Sequence, residues 1–166
     1  RRCIWTTAAS ANSAATRPTA LAAKILPRRR ASDAANGDRA TAASGEGSED
    51  GVNPKRCYIL HGLLGSKANW TGFVRKHLVA GLGLGQSWEF VLLDLRNHGS
   101  SVGFTGPHTM AAAAQDVIRS INVYGVPDLI VGHSLGGKVA LEVARAVDVP
   151  EGKAVDVWAL DCVPGT

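Results

Sequence analysis

Asp128-Leu129-Ile130-Val131-Gly132-His133-Ser134-Leu135-Gly136-Gly137-Lys138 is the stretch whose reading decides the fold. It starts as a short apolar run, the mark of a buried strand, and passes through Gly-x-Ser-x-Gly. Val139, Ala140, Val143, Ala144 and Val147 then recur at helical spacing. Strand, turn and helix thus surround one serine. Gly132 and Gly136 are expected where the turn leaves no room for a side chain. A strained turn lifts the Ser134 hydroxyl above the sheet. It also points the Leu135 N–H at a developing oxyanion, near the positive end of the helix.

Outward from this elbow the same alternation continues. Cys57-Tyr58-Ile59-Leu60, Glu89 to Leu93 and Val155 to Leu160 are further apolar runs read as strands. Trp70, Phe73, Val74, His77 and Leu78 form one helical stripe, and Met110, Ala114, Val117, Ile118 and Ile121 another. Thr109, or Pro107-His108 before it, marks the start of the second. Continuous apolar strands alternating with helices predict a doubly wound α/β fold, with a mostly parallel sheet covered by helices on both faces. Ligands in such sheets bind outside the carboxyl ends of the strands. Chemistry is therefore expected just after each strand.

The first of these ends is His61-Gly62-Leu63-Leu64-Gly65-Ser66. Its loop must supply a second oxyanion donor, and the Leu63 N–H is the candidate. His61 is expected to brace the loop by hydrogen bonds. The second end is Asp94-Leu95-Arg96-Asn97-His98-Gly99-Ser100-Ser101. An Asp94–Arg96 ion pair is expected to hold this turn, with Gly99 at positive φ. His98 reads as a turn histidine packed near the site, with catalytic base as the alternative. Asp161, at the end of the last strand, is a possible triad acid; the alternative is a strand-end carboxylate bonded to backbone N–H groups.

Three blocks, His61-Gly62, Asp94-x-Arg96-Asn97-His98-Gly99-x-Ser101 and Gly132-His133-Ser134-x-Gly136-Gly137-Lys138, resemble the α/β-hydrolase family in wording and in order. Arg-Asn-His-Gly and Ser-x-Gly-Gly-Lys are most similar to the small serine esterases grouped with α/β-hydrolase domain-containing protein eleven. The ending Leu160 to Gly165 looks like the version of photosynthetic lineages. The resemblance covers residues 55–166. It implies Ser134 as nucleophile, Leu63 and Leu135 as oxyanion donors, hydrolysis of a small-molecule ester or thioester, and no cofactor or metal. It also implies a triad in the order Ser, acid, His, yet no histidine follows His133. The expectation is a fragment, roughly the first half of a catalytic domain, that is inactive and folds poorly by itself. A β-hairpin is expected before residue 55 in this family, and residues 33–54 do not read as one.

Charge divides the 166 residues. Residues 1–32 carry seven Lys or Arg and no Asp or Glu, whereas 52–166 carry ten against nine. The pI of about 9.2 thus belongs to the first segment, which removes support for a nucleic-acid partner. An Arg- and Ser-rich, acid-free start predicts an organellar transit peptide over 1–32, chloroplast or mitochondrial, with a short amphipathic helix at Ala20–Leu26. The missing initiator Met predicts a start further upstream. Residues 33–54, nearly devoid of apolar bulk, are expected to be a flexible linker. No apolar run approaches the length of a membrane span. Three widely spaced cysteines form neither a zinc ribbon nor a disulfide framework.

Two other readings compete. Gly132-x-x-x-x-Gly137-Lys138 partly fits a nucleotide-binding phosphate loop, but Val139 stands where a Mg²⁺-ligating hydroxyl belongs. A binding protein on the same fold with a dead triad is the other. Gly81-x-Gly83-x-Gly85 follows a helix instead of a strand, the wrong setting for a dinucleotide fingerprint.

Overall fold

The computed structural model describes residues 20–26 and 53–163. The strands are β1 (Ala23–Leu26), β2 (Lys55–Leu60), β3 (Trp88–Leu93), β4 (Leu129–His133) and β5 (Asp156–Leu160). The helices are α1 (Lys67–Phe73), α2 (Met110–Tyr124) and α3 (Leu135–Ala146). One sheet runs in the order β1-β3-β2-β4-β5, in which only β1 is antiparallel to its neighbour. The chain steps from β2 to β3 on one side, then crosses back to β4 on the other. The crevice at the carboxyl ends of β2 and β4 is therefore where such a sheet binds ligands.

The alternation of side chains across the pleat separates two cores. Tyr58, Leu60, Val91, Leu93 and Ile130 face α2 and α3, where they meet Val117, Ile121, Val139, Ala140 and Val143. Cys57, Ile59, Phe90 and Leu92 face the other way, onto Val74, Trp70 and Leu78. The inner strands β2 and β3 are apolar on both faces because both are covered, whereas the edge strand β5 leaves Trp158 and Leu160 exposed. The α2 start falls at Thr109, whose Oγ1 accepts the Ala112 N–H at 3.1 Å.

Three expectations are corrected. Ala20–Leu26 is not a helix; Ala23–Leu26 is the antiparallel strand β1, and Leu21 and Leu26 are core residues. Ile25 alternates outward while Leu26 is buried, so the period here is two. Only the edge of β3 could select it. The stripe from Trp70 to Leu78 does not stay on one α-helix. Beyond α1 the chain widens into π turns over Val74–Gly81, which leaves Phe73 nearly half exposed and stacked on His77. A phosphate loop is also excluded in shape. Ser134 alone separates β4 from α3, leaving no wide loop to wrap a phosphate, and Val139 is in the core. The linker reading of 33–52 lies outside the described residues.

Candidate active site

The elbow is built by close approach of backbone. A β-carbon on Gly136 would lie 2.6 Å from the carbonyl oxygens of both Leu60 and His61, and one on Gly132 would collide with the Gly136 carbonyl. Ser134 itself has φ 50° and ψ −113°, a conformation an L-residue holds only when its surroundings impose it. Three anchors impose it. The Ser134 N–H bonds the Leu160 carbonyl at 2.8 Å, and the Ser134 carbonyl accepts the N–H groups of Gly137 and Lys138. Leu135 opens α3, so its N–H lies outside the helical ladder. An alanine at Gly136 is expected to destabilise the domain by about 1–3 kcal/mol through overpacking, since its neighbours are backbone and cannot swing away. Chemical denaturation of Gly136→Ala beside the parent chain checks this.

The loop after β2 crosses directly over the elbow. A β-carbon on Gly62 would sit 2.8 Å from His133 Nδ1, so a larger residue there would push the His133 ring aside. Gly62 to Gly65 closes a tight turn through a 3.0 Å bond from the Gly65 N–H to the Gly62 carbonyl. Leu63 is exposed at its tip. Leu64, next to it, has φ 61°.

His61 is buried. Its Nδ1 faces the Gly62 carbonyl at 2.7 Å and its Nε2 accepts the Leu95 N–H at 3.0 Å. A carbonyl cannot donate, so the ring is neutral with its proton on Nδ1. Burial lowers its pKa from the ordinary 6.5, against the Gly62 bond and the Asp94 charge, which raise it. His98 Nδ1 faces the Arg96 carbonyl at 2.8 Å and its Nε2 accepts the Leu64 N–H at 3.2 Å.

The expected Asp94–Arg96 pair does not form. Asp94 is fully buried and pairs with Lys67, whose backbone N–H it also accepts at 2.7 Å, along with the Ser100 N–H at 2.8 Å. Burial pushes this carboxyl up, but the Lys67 ammonium and the two N–H groups outweigh it and hold the carboxyl below its ordinary value. Arg96 instead reaches Asp116 on α2 at 2.5 Å, and Arg119 pairs with the same carboxylate. Both residues lie past the end of β3, with Arg96 in a turn, so strand alternation does not put them on one face and each meets a different ion. Gly99 has φ 51°, and a β-carbon there would run into the Asp94 carboxylate.

Lys67 and Asp116 escaped the sequence reading. Asp116 did carry a signal, a carboxylate beside Ala113, Ala114 and Val117 on the buried face of α2, where a charge needs a partner. Asp161 is exposed, with φ 49°, and its Oδ2 lies 3.7 Å from His133 Nε2. Among the described residues no cluster of His, Cys, Asp or Glu could hold a metal, and no helix is long and apolar enough to cross a membrane.

The Alpha/beta hydrolase family profile matches residues 58–164, from the middle of β2 past the end of β5. The chain belongs to the α/β-hydrolase family. A mouse relative, "sn-1-specific diacylglycerol lipase ABHD11", is 36% identical over 115 residues, covering 65% of this chain and 34% of its own. The "Probable alcohol acetyltransferase" of Saccharomyces cerevisiae is 42% identical over 88 residues, covering 50% of this chain and 24% of its own. This chain thus spans between about a quarter and about a third of these curated relatives. Among solved structures, MenH from S. aureus matches 87% of this chain and 43% of its own with TM-score 0.58 at 16% identity, a likeness of fold. In this α/β hydrolase the elbow and the two histidine-bearing loops converge at one end of the sheet.

Proposed function

We propose that this α/β hydrolase transfers acyl groups through Ser134, hydrolysing a small-molecule ester or thioester. The observation that carries the reading is the backbone of Ser134, held at φ 50° between Gly132 and Gly136 at the head of α3. Strain of this kind is retained where a function uses it. Ser134 Oγ attacks the carbonyl carbon, and a base takes its proton. The N–H groups of Leu135 and Leu63 hold the oxyanion, each worth about 2.7–4 kcal/mol in comparable sites. Collapse expels the alcohol or thiol, and water releases the acyl group from the serine. Diacylglycerol lipase and acetyltransferase names among the relatives support acyl transfer as the class.

A triad histidine follows the acid in chain order in this fold, and His61 and His98 are engaged with backbone. The base is therefore assigned to a part of the enzyme beyond the elbow half. Without it Ser134 is a weak nucleophile, and the 166-residue chain alone is inactive. The acid-free N-terminal segment is proposed to direct an organelle. Because Leu21 is in the core, any processing cut falls before it.

A fluorophosphonate probe tests the site in the complete enzyme. Labelling confined to the Ser134 peptide, and absent from Ser134→Ala, is expected. Labelling at another serine, or esterase activity surviving in Ser134→Ala, overturns the assignment.

A further inference from the structure

The loop that carries Leu63 has no side chain to anchor its tip. Leu63 is 68% exposed and Leu64 is 91% exposed. Leu64 also sits at φ 61°, in the left-handed region where a leucine is strained. Burial does not hold this turn, so hydrogen bonds must. Two bonds tie it to the loop after β3, and they are reciprocal. His61, at the root of the β2 loop, accepts from the Leu95 N–H of the β3 loop. His98, in the β3 loop, accepts from the Leu64 N–H of the β2 loop. The two rings are 5.1 Å apart.

The β3 loop is the firm side of this arrangement. Asn97 exchanges two 3.0 Å bonds with Phe104, its N–H bonds the Ser101 carbonyl, and Asp94 ties the turn to Lys67. The β2 loop is therefore the one that is positioned.

We propose that His61 and His98, each with its proton on Nδ1, form a clasp that holds the oxyanion turn in place. They are positioning residues for the reaction proposed above, and the inference rests on that reading for its consequence in catalysis. The chemistry is the same at both ends. Nδ1 donates to a carbonyl within its own loop, which leaves Nε2 as acceptor for the other loop. A proton added at Nε2 would point at an N–H, and two donors cannot bond. A second cation 5.1 Å from the first is also repelled. The surrounding charges are engaged elsewhere. Asp94 and Lys67 neutralise each other, Arg96 is turned to Asp116, and His133 lies across Gly62 with Asp161 on its far side.

The test is amide hydrogen exchange and imidazole ¹⁵N spectroscopy on the full chain. At about pH 8 both rings are expected as the Nδ1–H tautomer. In His98→Ala, protection of the Leu64 amide, corrected for intrinsic exchange, is expected to fall about fivefold or more, as for one net hydrogen bond. Val91 and Ile130 in the core should hold theirs. His98→Gln keeps an acceptor, so Leu64 should stay protected. In the complete enzyme, fluorophosphonate labelling of Ser134 should slow in His98→Ala and recover in His98→Gln.

Unchanged Leu64 protection in His98→Ala, or an Nε2–H tautomer at either ring, overturns the clasp. If His98→Ala unfolds, the ring tautomers of the parent chain decide. Absence of Ser134 labelling overturns the catalytic reading alone, because exchange is measured without chemistry.

Discussion

A chain that begins at Pro27 is expected to be about 3–6 kcal/mol less stable than one that begins at Ala20. The difference is the strand β1 and the residues leading into it. Leu21 and Leu26 are 2% and 4% exposed, and fully burying a leucine contributes about 1.5–3 kcal/mol. Polar groups are left behind as well. Ser120 Oγ, buried in α2, loses the Leu21 N–H at 3.0 Å, and Ser101 Oγ loses the Ala22 N–H at 2.8 Å. The Asp94 N–H loses the Ala22 carbonyl at 2.9 Å. These last two groups belong to the loop that holds His98, so the damage reaches the site. Thermal melts of the two chains check the prediction, since 1 kcal/mol moves the midpoint by roughly 4 °C in a domain of this size. Coincident midpoints would mean that β1 contributes nothing.

Asp94→Ala is expected to cost about 3–5 kcal/mol, the usual result of removing one partner from a buried ion pair. The Lys67 ammonium and the N–H groups of Lys67 and Ser100 would all lose their acceptor. Asp94 also predicts an acid limb. Its carboxyl is held below the ordinary 3.8, so the folded state binds fewer protons than the unfolded chain. The resulting stability is complete above about pH 4 and disappears as pH falls through the lowered value. His61 adds an earlier loss. Its pKa is below 6.5 when folded, so its contribution is complete above that value and declines as pH falls beneath it. Urea titrations at stepped pH should show both limbs in the parent chain. In Asp94→Ala the lower limb should vanish and the upper one remain.

The strands and helices of the βα repeat were legible because their signals are local. β2, β3, β4 and β5 each announce themselves as an apolar run, and α2 and α3 as apolar stripes. The elbow was legible for the same reason. Gly132, Ser134 and Gly136 lie within five residues, and a turn that short constrains its own composition. β1 was not legible in this way. Its four residues show no more than Ala-Lys-Ile-Leu, equally good as a basic amphipathic turn, and only pairing with β3 selects the extended form. The wide turns over Val74–Gly81 were hidden because a hydrophobic stripe drawn at period 3.6 does not reveal a local change of winding.

Charged partners were harder still. Asp94 and Arg96 are close in sequence and opposite in sign, which made their pairing the economical expectation. An ion pair is chosen in space, and the loop after β3 carries these side chains apart, toward Lys67 at the start of α1 and Asp116 on α2.

By itself, then, the sequence determined the α/β architecture, the position of the elbow and the need for its glycines, since each follows from patterns within one segment. Tertiary structure alone decided which ions pair, which leading residues join the sheet, and that His61 and His98 grip each other's loops. Those contacts join residues 20 to 99 positions apart, and only the packed sheet brings them within bonding distance.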